Sequence, residues 1–387
     1  MIYVDAQAST PIDPRVAAAI EEVYAAELAN PHSTHMAGQT AMKYVDDARR
    51  TIAQFFGVKF NEVVFTSGAT EANNLAIQGV VRKALQSMER VEIITTPIEH
   101  SAVLEPIQAL KDQYPERVHV RYLSVGESGV VDANELSEVL SDSTVLISVM
   151  HANNEIGTIQ PIRDIARLIR KWKAEQGSAY PYFHSDGAQA PFFISENLSY
   201  GPVDLYSISG HKIYGPKGVG ALIVREGTAI QPLFYGGGQE YELRPGTVSP
   251  ELAHGLKAAL DCIQSADHDA IVTEMLTLRN RLLGELLDIP GVLLNGDLES
   301  RLPHNINISV DGLSSETAII QFDLAGVALS AGSACHSGAF EPSHVVEAVA
   351  GPDRAKSALR ISLSQFTTQK EIDTVIHSSQ HILKKLS

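Results

Sequence analysis

Between about residues 60 and 225, short apolar runs alternate with stretches of helical spacing. Residues 62–66, 91–95, 118–123 and 144–150 have the length and the Val/Ile content of buried strands. Residues 182–184, 204–208 and 220–224 continue the series. Residues 70–81, 101–111, 132–140 and 162–175 space their apolar positions as helices. In the last of these, Ile162, Ile165, Ala166 and Ile169 fall on one face. Such alternation predicts a largely parallel α/β sheet covered on both faces, with ligands collecting beyond the carboxyl ends of the strands.

Past residue 250 the pattern changes. Long helical spacings over 251–266 and 270–287 lead into a strand at 305–310 and a helix at 315–324. Further strands at 327–330 and 359–363 precede a closing helix at 370–386. This reads as a smaller α/β domain, with the boundary near 255–265. The expected division is an N-terminal segment over 1–14 packing with the small domain, a large domain over 15–258 and a small domain over 259–387. The chain has 387 residues, 44% hydrophobic and 20% charged, which is ordinary globular composition. A net charge of −16 argues against direct nucleic-acid binding. No apolar run approaches the roughly 18 residues of a membrane span, so no membrane partner is expected. The first residues lack the basic and apolar regions of a signal peptide. Cys262 and Cys335, the two cysteines, cannot form a disulfide framework. A reducing, cytoplasmic setting follows as the expectation.

The residues that end the strands carry the chemistry. Lys212, in Ser209-Gly210-His211-Lys212, stands among small residues where a Schiff-base lysine would sit. A solvated loop lysine is the plain alternative. The neighbouring glycines do not spell a phosphate-binding P-loop, because no Gly-Lys-Ser/Thr follows at the required spacing. Twenty-six residues upstream, Asp186 ends another strand. There it could keep a pyridine nitrogen protonated, or merely form a turn or cap. Ser67-Gly68-Ala69-Thr70 joins a strand to a helix and offers free amides, a dipole end and hydroxyls to an anion. Thr70 acting as a simple N-cap is equally compatible. Together, a phosphate cradle, a pyridinium partner and a lysine on three strand ends are what pyridoxal phosphate requires. His100, after a further strand, would stack on the cofactor ring and move protons, or serve a structural role. Cys335, in Gly332-Ser333-Ala334-Cys335-His336, has the polar, exposed surroundings of a reactive thiol, whereas Cys262 sits in an apolar helical run and reads as core. Arg360 lies inside an apolar strand, where it needs either a structural partner or a substrate carboxylate.

These residues, and the ordered motifs Met150-His151-Ala152-Asn153-Asn154-Glu155-Ile156-Gly157, Gly236-Gly237-Gly238-Gln239-Glu240 and Arg244-Pro245-Gly246-Thr247, run the length of the chain. In them the sequence resembles the NifS/IscS-like cysteine desulfurases of the class V aminotransferase group. The resemblance implies a fold-type I pyridoxal-phosphate enzyme and assigns roles residue by residue. Lys212 would bind the cofactor covalently, Asp186 would pair with its ring nitrogen, Gln189 would contact its phenolic oxygen and His100 would stack on the ring. Ala69, Thr70, Ser209 and His211 would surround the phosphate, joined by Thr247 from the other subunit of a homodimer. Asn154 and Arg360 would hold the substrate carboxylate. Cys335 would accept sulfur.

The same resemblance implies conversion of L-cysteine to L-alanine, with sulfur retained as a persulfide. A scaffold or other acceptor protein would then receive it, for iron–sulfur assembly, tRNA thiolation, nitrogenase maturation or DNA sulfur modification. No resident metal is expected, although Cys335 would serve as a transient cluster ligand. A selenocysteine lyase or an aminotransferase on the same fold is the alternative, and the loop thiol discriminates against a transaminase. The chain departs from the family pattern at Ser9, at His336 after the reactive cysteine, and at Tyr241-Glu242-Leu243. It also has a shorter tail than relatives that dock a scaffold. These differences bear on the acceptor more than on the chemistry.

Overall fold

The computed structural model describes every residue except 27–28, 196, 200, 202, 333–340 and 387, together with all side chains but those of 385 and 386 among the rest. Cys335 and His336 therefore lie outside the described residues. In chain order the strands are β1 (Ile2–Tyr3), β2 (Val63–Thr66), β3 (Val91–Thr95), β4 (Val118–Tyr122), β5 (Thr144–Ser148) and β6 (Tyr182–Asp186). There follow β7 (Leu205–Ser209), β8 (Gly220–Val224), β9 (Val292–Leu294), β10 (Asn305–Val310), β11 (Val327–Ala328) and β12 (Ala358–Ser362).

Seven of these form one sheet in the order β2-β8-β7-β6-β5-β3-β4. β8 runs antiparallel to both neighbours, and the remaining pairs are parallel. β3, β5, β6 and β7 are buried throughout, as strands covered on both faces must be. Alternate side chains serve opposite faces. Ile93, Leu146 and Leu222 pack with Leu75, Ala76 and Val80 of the helix Ala69–Ala84. Ile94, Ile147 and Ile223 pack with Val45 and Ile52 of Met36–Phe56, Ile165 of Ile162–Gln176 and Leu256 of Pro250–Ile263. At the edge, β4 exposes His119, Arg121 and Tyr122, the polar character that keeps an open edge from pairing with another chain.

A second core surrounds an antiparallel sheet of order β12-β10-β9. Ile306, Ile308 and Ile361 pack there against Leu282 and Leu286 of His268–Leu287, Phe322 of Ser315–Leu324 and Val375 of Gln369–Leu386. Val4 enters the same cluster, and β1 pairs in parallel with β11. The helix His268–Leu287 bridges the two cores: Met275 belongs to the first, Leu278 to the second. Among the described residues, no helix is long and apolar enough to cross a membrane. Cys262 is half-buried against the first core, and burial pushes its thiol up.

The strands at 91–95 and 220–224 coincide with expectation. The strand expected at 182–184 continues to Asp186, where two of its polar side chains find partners: His184 bonds Ser148 Oγ at 2.8 Å and Ser207 Oγ at 3.1 Å, and Asp186 accepts from Asn73.

Two helical glycines give opposite expectations for the same substitution. A Cβ on Gly255 would stand 2.7 Å from Ile20 and 2.9 Å from Pro216, whereas one on Gly284 meets nothing within 4 Å. Gly255→Ala should destabilise by about 1–3 kcal/mol through overpacking. Gly284→Ala should stabilise by about 0.5–1 kcal/mol, as Ala replaces Gly in an open helix interior. Denaturant melts of the two variants check both signs.

Candidate active site

The carboxyl ends of β2, β3, β5, β6 and β7 share one edge of the large sheet. The residues following them enclose a cavity of about 480 Å³. At one end, β2 turns into the helix Ala69–Ala84 through Gly68, whose φ of 154° and ψ of 179° are open to glycine alone. No side chain caps that helix, so its leading amides remain available to an anion. Thr70, Ser209, His211 and Lys217 line the same end. A Cβ on Gly68 would stand 3.7 Å from Ser209 Oγ and intrude on this concavity. His211 bonds Ser9 Oγ through Nδ1 at 3.2 Å. Burial, reinforced by Lys212 and Lys217, pushes its pKa down to about 4, which makes it a neutral hydrogen-bonding group at neutral pH.

Asp186 closes β6 at the middle of the cavity and is buried. Its Oδ2 accepts from Asn73 Nδ2 at 2.7 Å and its Oδ1 from the Ala188 amide at 2.9 Å. Lys212 follows β7, one strand over. Its Nζ donates to the carbonyls of Gln7 and Ala8 at 2.6 and 3.0 Å. Gln189 Nε2 donates to the Gln7 carbonyl at 3.2 Å. His100 caps the helix Ser101–Gln113, its Nδ1 accepting from the Ala102 amide at 3.0 Å. That bond commits the neutral ring to carrying its proton on Nε2. Burial holds its pKa below the usual histidine range.

At the other end stand Asn154 and Arg360. Arg360 is buried and donates from Nη1 to the Asn154 carbonyl and from Nη2 to Asp5 Oδ1, both at 2.8 Å. Thus it does have a structural ion pair, yet its Nε remains without a partner, as does Asn154 Oδ1. These buried polar atoms are what the far end of the cavity offers a ligand.

Pyridoxal phosphate fits this donor set. The uncapped helix, Thr70 and Ser209 suit a phosphate, and Asp186 suits a ring nitrogen. Lys212 suits an aldehyde carbon, Gln189 a phenolic oxygen, and the orphaned Nε of Arg360 suits the carboxylate of an amino acid, while the orphaned Oδ1 of Asn154 is an acceptor that suits a donor. Ten residues singled out from the sequence line the one cavity: Ala69, Thr70, His100, Asn154, Asp186, Gln189, Ser209, His211, Lys212 and Arg360. Thr247 does not; it is exposed, on the stretch after Gly246. Asn73, Asp5, Gln7 and Ser9 were missed. Asn73 was within reach, since it lies one helical turn beyond Thr70 and so shares its face. The other three act across the fold and leave no local signal.

A family model described as aminotransferase class-V matches residues 2–375. The chain is 43% identical over 390 residues to a probable mitochondrial cysteine desulfurase of Dictyostelium discoideum, covering 99% of this chain and 82% of that protein. It is 38% identical over 390 residues to the putative cysteine desulfurase IscS 1 of Bacillus subtilis (strain 168), covering 100% of this chain and 99% of that one. Among solved structures, a NifS-like protein has a TM-score of 0.90 at 33% identity and covers all of both chains.

Beneath His100, the carboxyl of Glu99 is fully buried. Its Oε1 accepts from the Met150 amide at 2.8 Å and Thr96 Oγ1 at 3.0 Å, and its Oε2 has no partner. Burial, with the charge of Asp186 a smaller contributor, raises its pKa from 4.5 to about 8. Between these values the unfolded chain has lost the proton that the folded chain keeps, so the group lowers stability as pH rises from 4.5 to 8. Glu99→Gln keeps the acceptor and removes the titration. The variant should therefore gain melting temperature relative to the parent at pH 8, and lose that advantage near pH 4.5. A difference independent of pH would contradict the assignment.

Proposed function

The chain belongs to the class-V aminotransferase family, and from that membership we propose that it is a pyridoxal-phosphate-dependent cysteine desulfurase. It converts L-cysteine to L-alanine and leaves the sulfur on Cys335 as a persulfide. The observation that carries this reading is a single cavity in which Lys212 and Asp186 lie between an uncapped helix N-terminus and the unpartnered Nε of Arg360.

The cofactor, held through Lys212, supplies a sink for the electron pair released at the substrate Cα. Arg360 Nε and the Asn154 amide bind the substrate carboxylate and so fix the direction of the Cα–H bond. Once the substrate amine has displaced Nζ from the cofactor, the free amine of Lys212 takes the Cα proton. The Gln7 and Ala8 carbonyls, which hold that amine at 2.6 and 3.0 Å, provide it with a resting position. Asp186, fixed by Asn73 and Ala188, keeps its negative charge toward the ring nitrogen. His100 presents a proton on Nε2. The Cys335 thiolate attacks the substrate sulfur: the S–S bond forms, the C–S bond breaks, and its electron pair leaves with the carbon fragment, which is protonated to alanine.

A homodimer is part of the same proposal. Thr247 is exposed, as is Tyr235, and a phosphate-binding role for Thr247 is open to it across a subunit interface. The sulfur then passes to an acceptor for iron–sulfur assembly or another thiolation. A reducing, cytoplasmic setting suits a reaction that needs Cys335 as a free thiol. We divide the chain into a large cofactor-binding unit and a smaller C-terminal one, a reading supported by two separate cores; Ala259, Leu260, Ile263 and Met275 pack in the first core and Leu278 in the second, so the cores change over within His268–Leu287 rather than at the expected 258/259.

Lys212→Ala should abolish alanine release, and borohydride should no longer fix cofactor to the protein. Cys335→Ser should retain the cofactor and its absorbance change with cysteine, yet make no alanine. Mass spectrometry of the parent after brief exposure to cysteine should find one extra sulfur on Cys335 and none on Cys262. Alanine release by Cys335→Ser at the parental rate would sink the desulfurase reading. Shared sites predict that mixing inactive Lys212→Ala and Thr247→Ala chains restores part of the activity, whereas a fully active monomer in sedimentation would contradict the dimer.

A further inference from the structure

β2 has a strand, β8, along one side; along its other side it is met by side chains. There the Val63 carbonyl accepts from Arg49 Nη1, and the Phe65 amide donates to Glu240 Oε2 at 2.7 Å. Arg49 and Glu240 are joined by both arms, Nη1 to Oε2 at 2.9 Å and Nη2 to Oε1 at 2.6 Å, and both are buried. The guanidinium also lies over the rings of Phe65 and Tyr241, 4.9 and 5.4 Å from their centroids. One ion pair thus supplies the donor and the acceptor that a neighbouring strand would have supplied.

Glu240 reaches this position through an unusual backbone. Glu240, Tyr241 and Glu242 are consecutive non-glycine residues with φ of 48°, 58° and 64°, a run that persists only where surrounding contacts over-determine it. Two further contacts do so. Gln239 Oε1 accepts from the Gly246 amide at 3.0 Å, which closes the loop on itself. Arg244 Nε donates to Glu71 Oε1 at 2.8 Å, while Glu71 Oε2 accepts from the Ser67 amide at 2.7 Å. The loop therefore grips the chain at Phe65, just before the anion-binding turn 67–70, and at Ser67 and Glu71, within and just after it.

We propose that Arg49–Glu240 and Glu71–Arg244 are positioning pairs for the phosphate of the cofactor. Together they fix the end of β2 and the turn 67–70, so that the leading amides of the helix Ala69–Ala84 face the cavity. The inference rests on reading that turn as the phosphate site. Neither pair reaches Asn154 or Arg360, so the carboxylate end of the cavity is independent of them. Without the Glu240 carboxylate, the left-handed run relaxes, the loop leaves β2, and the turn loses its fixed amides.

The test uses cofactor-free protein titrated with pyridoxal phosphate and, separately, with pyridoxal, which lacks the phosphate. Glu240→Gln should weaken pyridoxal phosphate binding roughly tenfold or more. Pyridoxal binding should stay unchanged, as should the KM for cysteine of the cofactor-saturated enzyme. The ³¹P resonance of the bound cofactor should move. Parental affinity and an unmoved resonance in folded Glu240→Gln overturn the proposal, and so does an equal loss for both ligands, which marks a general structural effect. Thr70→Ala separates the underlying reading: if it leaves pyridoxal phosphate affinity intact, the turn is not the phosphate site. Should Glu240→Gln fail to fold, Arg244→Gln takes the same measurements, with the same selective loss expected and the same two outcomes against it.

Discussion

A guanidinium taken out of water must be met by acceptors, and Arg360 is the largest fully buried side chain of the fold. Its acceptors come from distant parts of the chain. Asp5 takes one arm, the Asn154 carbonyl takes another, and Asp5 itself accepts from Ser330 Oγ at 2.7 Å. This draws the N-terminal segment across both cores: β1 pairs with β11, Val4 enters the second core, and the next residues, Gln7 and Ala8, present their carbonyls to Lys212. One ion pair thereby sets the far end of the cavity and the resting place of the lysine. Breaking such a buried pair from one side leaves an uncompensated charge, at a cost of about 3–5 kcal/mol.

Burial also decides which groups of the site are charged. His184 and His151 are pushed down to about 4 by desolvation, and His211 to about 4 by desolvation and two lysines. All three are neutral at neutral pH and act through hydrogen bonds: His184 with two serines, His151 with Tyr206 at 2.7 Å, His211 with Ser9. No histidinium from this set competes for the carboxylate of Asp186, which leaves it to the ring nitrogen it is proposed to meet. The same economy applies at His100. An amide bonded to Nδ1 lowers the appeal of a second proton and leaves one mobile proton at Nε2, on the side away from the helix.

The strands of the large sheet were legible because buried parallel strands are nearly continuous apolar runs, and Lys212, Asp186 and His100 were legible because they follow such runs directly. Where polar residues take part in a strand, the pattern ends early, as it did at His184-Ser185-Asp186. The helix Met36–Phe56 went unassigned although Ala41, Val45, Ala48, Ile52 and Phe56 form its buried stripe; alanines weaken the contrast between its faces. Asp5 escaped notice because its partner lies 355 residues away. Glu240 was seen as part of a motif, but its pairing with Arg49 at a separation of 191 residues exists only in three dimensions. Long-range electrostatic pairs write no period into a sequence.

Most of the cavity residues assigned to the cofactor sit at a strand end or a helix start, and Gln189 lies in the turn after β6. Cys335 instead belongs to 333–340, and the residues flanking that stretch meet at one carboxylate. Glu155, fully buried, accepts from Ser343 Oγ at 2.5 Å, and a Cβ on Gly332 would stand 3.1 Å from its Oε2. The Glu155 carbonyl is in turn held by Asn305 and Asn307, and its neighbour Asn154 lines the cavity, so one buried residue links the residues flanking 333–340 to the cavity wall.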